Sequence, residues 1–139
     1  KLPMVQYGEP VRPVKEVEAV GMEVSPKGET IIDFGQNLAG VLRVKVDLPA
    51  GTKLILDHFE TKDSQGNYFN NIAGADMTGH TQTDVYISNG KPAEYRPHFT
   101  YHGFRYVRVI CDAPVKPEDF TAVAHAGQFW ARDKEEKNI

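Results

Sequence analysis

Histidines are common metal ligands and proton-transfer groups, so their spacing bears on the chemistry that this sequence could carry. The 139 residues include histidines at positions 58, 80, 98, 102 and 125. His98 and His102 stand four apart, which on a helix would place two metal ligands on one face. Their segment leads into a predicted strand instead, and no glutamate follows the first histidine. The sequence therefore predicts local packing for both side chains, with no metal site and no cofactor.

The segment from Asp63 to Asn67 has some of the residues of a calcium loop. An EF-hand needs glycine at its sixth position and glutamate at its twelfth. Here Gly66 is at the fourth position and Gly74 at the twelfth. The favoured prediction is a polar hairpin tip in which Asn and Gly serve turn geometry. A looser calcium site remains an alternative, and its ligands would come from Asp63, Asn67, Asn70, Asn71 or Asp76.

Carboxylates and nucleophiles give little support for catalysis by this chain. Glycoside hydrolysis needs two carboxyl groups about 5–10 Å apart across a sugar, and the sequence leaves the pair Asp57 and Glu60 open. No acidic cluster lies on one strand face, however, and no serine has a Gly-x-Ser-x-Gly context. Cys111 lies in a largely apolar predicted strand, as a small core residue does. We predict no catalytic residue, with a small stand-alone glycosidase as an alternative.

The long polar stretch 61–81 contains the best candidate for sugar binding. Sugars bind to aromatic faces surrounded by polar groups, and Tyr68, Phe69, Asn70 and Asn71 offer that combination. Loops of this length are uncommon in compact domains and usually functional. These four residues are the predicted carbohydrate contacts. The competing interpretation is that Tyr68 and Phe69 pin the loop to the protein, and that Trp130 packs at a domain boundary.

The residue composition favours an all-β fold to position these groups. Valine occurs 14 times against 6 leucines, and 12 glycines with 9 prolines interrupt the chain at short spacing. β-Branched residues prefer strands, and no window is left for a long amphipathic helix. Strands are predicted at 17–24, 29–34, 40–48, 52–60, 82–88, 93–97, 104–112 and 120–126. This pattern predicts a two-sheet antiparallel β-sandwich of the jelly-roll type.

Some strands can be described in more detail. Alternation in 40–48 places Leu42, Val44, Val46 and Leu48 on one buried face. The strand 104–112 is apolar on both parities and is predicted to be covered on both faces. Turn residues predict hairpins at Ser25–Gly28 and at Asn89–Gly90. Residues 1–16 are predicted as an extended lead-in, 17–130 as the sandwich, and 131–139 as a charged tail or a linker to another domain.

Charge and hydropathy exclude two classes of partner. The net charge of -3 lacks the basic excess of nucleic-acid binders. The longest apolar runs fall far short of the ~20 residues of a membrane span. The first residue is not an initiator methionine, so we expect a piece of a longer chain. The compartment stays open between the cytoplasm and export with a parent protein, and so does the oligomeric state.

Three segments together resemble one family. They are Asp33-Phe34-Gly35-Gln36-Asn37-Leu38-Ala39-Gly40, the turn Pro49-Ala50-Gly51-Thr52, and the run Tyr95-Arg96-Pro97-His98-Phe99-Thr100-Tyr101-His102-Gly103-Phe104-Arg105-Tyr106-Val107. A Gly-Asn-Tyr loop at 66–68 and a Thr-Asp-x-Tyr-Ile strand at 83–87 lie between them in matching order. From about Ile31 to Ala126 the chain resembles the concanavalin-like β-sandwich domain of bacterial α-L-rhamnosidases.

The resemblance implies a supporting role in a larger enzyme. In such enzymes the sandwich is an accessory domain preceding an (α/α)6-barrel catalytic domain, whose carboxylates invert the anomeric centre. The implied partner is that barrel, and rhamnose-containing glycans are a further candidate. None of the family's catalytic residues can be placed on this chain. The alternative within the resemblance is a carbohydrate-binding module that recognises rhamnose-containing glycans.

The shared motif residues are predicted to build the scaffold. They are Asp33, Gly35, Gln36, Asn37, Gly40, Phe99, Tyr101, Gly103, Phe104, Arg105 and Tyr106. The four aromatics can each bury roughly 150–250 Å² and so anchor the two sheets. Arg105 is predicted to hold a carboxylate such as Asp33, because a guanidinium pairs with two carboxylate oxygens at once.

Overall fold

The computed structural model describes residue 4, residues 10–72 and residues 81–126. These ranges contain eight strands and one short 3-10 turn. The strands are β1 (Arg12–Glu18), β2 (Gly21–Val24), β3 (Thr30–Val46), β4 (Lys53–Phe59), β5 (Thr83–Ile87), β6 (Ala93–Tyr95), β7 (His102–Cys111) and β8 (Phe120–Ala126), with the 3-10 turn at Pro117–Asp119. The all-β prediction is confirmed. Trp130, Asp76, His80 and the tail 131–139 lie outside the described residues.

All strand pairs are antiparallel, and β3 belongs to both layers of the fold. The first layer has the order β2, β3, β7, β4, β5, in which β3 contributes Thr30 to Gly40. The second layer has the order β1, β8, β3, β6, in which β3 contributes Gly40 to Val46. Hydrogen bonds therefore connect every strand in one sheet that folds over into two layers.

The bend in β3 has two local causes. Its pairing with β7 shifts register between Asp33 and Leu38, and within that interval Gly35 has φ +74°. At Gly40 the strand pairs with both β7 and β8. A Cβ on Gly40 would lie 2.0 Å from the carbonyl oxygen of Val123, so only glycine permits this approach. The sequence predicted two strands here, and the structure joins them through the irregular stretch around Gly35 into the single strand β3.

The core lies between the two layers. The predicted alternation from Leu42 to Leu48 is present, with the even-numbered residues buried. Phe34 and Phe104 meet edge to face at 5.8 Å between ring centroids. Complete burial of such side chains stabilises the folded state by roughly 1.5–3 kcal/mol each. Leu54 and Leu56 of β4 join the same cluster, so both layers share one core.

Two details differ from the predicted strands. β7 is paired on both edges, but its outer face is not fully covered, because Ile110 is 45% exposed. β1 begins at Arg12, inside the predicted lead-in, and pairs with β8. Pro13 lies at a register shift of this outermost strand, where its missing N–H breaks no central ladder.

The turns also separate into two kinds. β2 and β3 form the predicted hairpin around Ser25–Gly28. The Asn89–Gly90 turn does not make a hairpin, because β5 pairs with β4 whereas β6 pairs with β3. This turn instead carries the chain from one layer to the other. The rings of Tyr86 in β5 and Tyr95 in β6 contact each other across the two layers, with 4.9 Å between their centroids. No helix in the described residues is long and apolar enough to cross a membrane.

Candidate functional site

An arginine-centred network fixes several of the polar candidates on the first layer. Arg108 donates from Nη2 to Oδ2 of Asp57 at 2.7 Å and from Nη1 to Oε2 of Glu29 at 3.0 Å. Its guanidinium also lies over the Tyr68 ring, 3.9 Å from the centroid. Thr83 donates its hydroxyl to the other oxygen of Asp57. The carboxylate of Asp57 is therefore fully engaged and 5% exposed, out of reach of a sugar.

Glu60, the other carboxylate of the open pair, belongs to a separate network. Its Oε1 accepts from Asn37 Nδ2 at 3.0 Å, and its Oε2 accepts from Asn71 Nδ2 at 2.8 Å. A cleft of about 420 Å³ opens beside it. The cleft is lined in part by Lys15, Gln36 and His125. Glu60 and Asp57 thus lie in different hydrogen-bond networks, and Glu60 is the one that faces an open space.

Of the four predicted sugar-binding residues, some pack within the protein and others are accessible to solvent. Tyr68 packs edge to face on Phe59 at 5.1 Å, and Arg108 covers one face of its ring. Asn71 is hydrogen-bonded to Glu60. Phe69 is 49% exposed, and Asn70 accepts from the backbone N–H of Ile72 through Oδ1. The structure therefore exposes Phe69, leaves Asn70 half-buried, and uses Tyr68 and Asn71 to hold the loop in place.

The segment Asp63–Asn67 forms the predicted turn. Asp63 Oδ1 accepts from the backbone N–H groups of Gln65 and Asn67, at 2.9 and 2.8 Å. Gly66 has φ +90°. Asn67 is completely buried and accepts from the backbone N–H of Lys27 through Oδ1. These side chains satisfy one another and tie the loop to the β2–β3 hairpin.

The predicted Asp33–Arg105 pair is present and bidentate. Arg105 Nε and Nη2 lie 2.9 and 3.0 Å from the two carboxylate oxygens. Gly35 N–H donates to Asp33 Oδ1 at 2.7 Å. Burial alone would raise the pKa of Asp33, but the bonds from Arg105 and Gly35 outweigh it and hold that pKa below its ordinary value. Asp33 thus fixes both the bulge of β3 and its contact with β7.

The four motif aromatics do not all anchor the core. Phe104 is fully buried, and Tyr106 stacks on Phe59 at 5.2 Å. Phe99 and Tyr101 are 109% and 65% exposed, so the predicted burial is wrong for this pair. Phe99 has φ 60°, which turns the chain outward before β7 begins. Among the other motif positions, Gln36 and Asn37 are exposed beside the cleft, and Gly103 lines it.

A cluster of two histidines and an aspartate lies on three adjacent strands. His58 of β4 is flanked by Asp84 of β5 and His102 of β7, and their candidate ligand atoms lie within 4.8 Å of one another. His102 Nε2 is 3.0 Å from Asp84 Oδ1, and His58 Nε2 is 3.8 Å from Asp84 Oδ2. Burial and the neighbouring His102 lower the pKa of His58 to about 4. His58 is therefore neutral at pH 7.

Sequence reasoning missed this cluster because its members are distant along the chain. His58 and His102 become neighbours only because β4 pairs with β7, and Asp84 joins them because β5 pairs with β4. The helical spacing of His98 and His102 pointed to the wrong partner. His98 is exposed and contacts Phe99. The signal that was available is that His58 and Asp84 lie in predicted strands and that His102 lies two residues before one.

Comparison with known proteins gives one consistent result. The sequence profile described as "Bacterial alpha-L-rhamnosidase concanavalin-like domain" matches residues 23–125. An α-L-rhamnosidase of Streptomyces avermitilis is 36% identical over 115 residues, which cover 82% of this chain and 11% of that protein. The crystal structure of an S. avermitilis α-L-rhamnosidase with L-rhamnose superposes with a TM-score of 0.77 at 31% identity, over 88% of this chain and 12% of the other.

A fungal structure agrees. The α-L-rhamnosidase of Aspergillus terreus gives a TM-score of 0.74 at 34% identity, over 86% of this chain and 14% of that one. The chain thus spans about one ninth of the first curated relative, and the shared two-layer fold corresponds to one domain of these longer proteins. By sequence profile and by fold, the chain belongs to the concanavalin-like domain family of the bacterial α-L-rhamnosidases.

Proposed function

We propose that this chain is a non-catalytic accessory domain of an α-L-rhamnosidase, a glycoside hydrolase. The observation that carries the proposal is the engagement of the two candidate acids. Asp57 is buried against Arg108 and Thr83, and Glu60 is shared between Asn37 and Asn71. An acid–base pair must instead face one substrate from two sides. We place that pair in an (α/α)6-barrel catalytic domain of the parent, where it would invert the anomeric centre.

The exposed aromatic loop between β6 and β7 supports contact with that barrel. Phe99 and Tyr101 leave most of their surfaces uncovered, and exposed aromatic side chains that lie together often mark an interaction surface. A bulky residue at positive φ costs about 1–2 kcal/mol, so the outward conformation of Phe99 has to be compensated elsewhere. A shallow depression lined by Val41, Arg96 and His125 adjoins the loop. In this proposal the barrel packs against the loop, and the accessory domain thereby orients the barrel.

The domain limits remain part of the proposal. We take 17–130 as the sandwich, extended by the paired residues of β1, and 131–139 as a linker toward the barrel. The compartment is that of the parent protein.

Turnover measurements test the absence of catalysis. The purified 139-residue chain is incubated with a nitrophenyl α-L-rhamnoside at concentrations high enough to detect slow hydrolysis. We expect no release of nitrophenol above the buffer blank. Hydrolysis that is lost in both Asp57→Asn and Glu60→Gln would instead establish a small stand-alone glycosidase.

Sugar recognition is the second candidate function, and the exposure of Phe69 is the observation that favours it. In that case L-rhamnose or a rhamnose-containing glycan would stack on Phe69 beside Asn70. An NMR titration separates the two functions. Under the accessory-domain proposal, the amide signals of residues 68–71 do not move with added L-rhamnose. Saturable shifts confined to this loop, and absent in Phe69→Ala, would support a carbohydrate-binding module.

A further inference from the structure

The side chains of His58, Asp84 and His102 converge from three hydrogen-bonded strands. β4 lies between β5 and β7, so the backbone fixes the three positions relative to one another. The side chains of His58, Asp84 and His102 are 0%, 9% and 11% exposed. Gln82 makes two hydrogen bonds with the backbone of Gly103 at 3.0 and 2.9 Å, which holds the start of β7 in place. The arrangement is therefore rigid and still within reach of water at His102.

Hydrogen-bond roles place two acceptor atoms of His58 and Asp84 face to face. His58 Nδ1 lies 2.8 Å from the carbonyl oxygen of Gln82, and because a carbonyl only accepts, Nδ1 carries the proton. His58 Nε2 is then unprotonated, and its lone pair faces Asp84 Oδ2. Within the described residues both atoms are buried without a hydrogen-bond partner. Two facing acceptors repel each other unless a proton or a cation lies between them.

We propose that His58, Asp84 and His102 bind a zinc ion. Ligands at the usual zinc distances of about 2.0–2.2 Å in tetrahedral geometry lie about 3.4 Å apart. The observed separations from Asp84 of 3.0 and 3.8 Å fall on either side of that value, and the three ligand atoms all lie within 4.8 Å of one another, so side-chain shifts without a backbone change would bring them to these distances. Two imidazoles and one carboxylate are donors that suit zinc, whereas magnesium and calcium prefer oxygen alone. A water molecule on the exposed side of His102 completes the coordination.

Zinc binding requires one change of tautomer, at His102. His102 now donates from Nε2 to Asp84, so this nitrogen must release its proton before it can ligate. The proton moves to Nδ1 of the same ring, which leaves the imidazole neutral. His58 already presents an unprotonated Nε2. The ion would then clamp β4, β5 and β7 together, and this role is independent of the accessory function proposed above.

The test uses the full 139-residue chain, freed of metal with a chelator and titrated with zinc chloride. Two-dimensional NMR of the imidazole nitrogens reports the tautomers directly. We expect saturation at one zinc per chain, with His102 changing from the Nε2–H to the Nδ1–H form and His58 keeping Nδ1–H. Magnesium chloride should leave the spectra unchanged. Zinc that saturates without altering either imidazole, or that fails to saturate, would overturn the proposal.

Matched variants locate the ion. His102→Gln and Asp84→Asn should each weaken zinc affinity at least tenfold in calorimetry, because each removes one ligand. His98→Gln is the control, since His98 is an exposed histidine four residues from His102, and it should bind as the original chain does. Circular dichroism checks that each variant folds, and the NMR result on the unaltered chain stands without them. Equal loss of affinity in His98→Gln and His102→Gln would place the ion elsewhere.

Discussion

Replacement of Arg108 by methionine tests the account of the polar network most directly. Methionine retains much of the aliphatic bulk but removes the guanidinium that contacts Asp57, Glu29 and Tyr68. Asp57, 5% exposed, would then have only Thr83 as a hydrogen-bond partner. We therefore expect a large loss of folding free energy.

The burial of the two partners sets the size of that loss. Removing one member of a buried pair typically costs 3–5 kcal/mol. The side chain of Arg108 is 25% exposed, so water can reach the vacated position and the lower end, about 3 kcal/mol, applies. At this chain length one kcal/mol corresponds to roughly 3–4 °C. The unfolding midpoint should therefore fall by about 10 °C.

Urea unfolding and thermal unfolding, both followed by circular dichroism, measure the loss of free energy and the shift of the midpoint. Arg43→Met is the control, because Arg43 pairs with Glu16, whose side chain is 58% exposed, and it should change stability little. Adding Asp57→Asn to Arg108→Met should recover part of the loss, since the unpaired charge is gone. The reasoning fails if Arg108→Met is no less stable than Arg43→Met, or if the double variant recovers nothing.

Three further predictions concern the bend of β3 and the exposed loop. Gly40→Ala should destabilise by about 3 kcal/mol in urea unfolding, because its Cβ would overlap the carbonyl oxygen of Val123. The lowered pKa of Asp33 stabilises the fold above its unfolded pKa, and this contribution is lost as the pH falls through the folded value. The stability gap between the original chain and Arg105→Ala should therefore shrink between pH 7 and pH 3. Phe99→Gly should not reduce the unfolding midpoint, because it relieves the positive φ and removes no buried surface.

Each of these has a control or a contradicting result. Gly21→Ala should be close to neutral, because a Cβ there meets nothing within 4 Å, and equal effects at Gly21 and Gly40 would refute the close-approach argument. A stability gap that is the same at both pH values would show that the Asp33 pair adds nothing. A marked drop for Phe99→Gly would mean that the ring packs within the domain.

The layers could be predicted from local sequence patterns, but their connection could not. Alternation from Leu42 to Leu48 and the turn at Ser25–Gly28 report on neighbours in the chain, and both features are present. The continuity of β3 depends on the Asp33–Arg105 pair, whose members are 72 residues apart. No pattern within a few consecutive residues indicates such a distant pair, so the sequence around Gly35 predicts the end of one strand and the start of another.

The sites were harder to predict for the same reason. Aromatic residues in a motif look equally suited to a core, and only the backbone at Phe99 turns its ring outward. Tyr68 looked like a sugar platform until the fold placed Arg108 across its face. Asp84 and His58 gave no ligand motif, since their contact arises from strand pairing. The sequence shows which side chains could bind or react, whereas the strand pairing decides which residues those side chains contact.

The sharing of β3 between the layers has a consequence for how the domain opens. Two sheets joined only by loops can separate, so that one melts while the other persists. Here the same backbone carries ladder hydrogen bonds to β7 at one end and to β8 at the other. If either layer unfolds, β3 loses its hydrogen bonds along half of its length, and the remaining layer is then less stable. Amides in β4 and in β8 should therefore exchange with deuterium at one common rate under conditions that favour global unfolding, because the domain would unfold as a single unit.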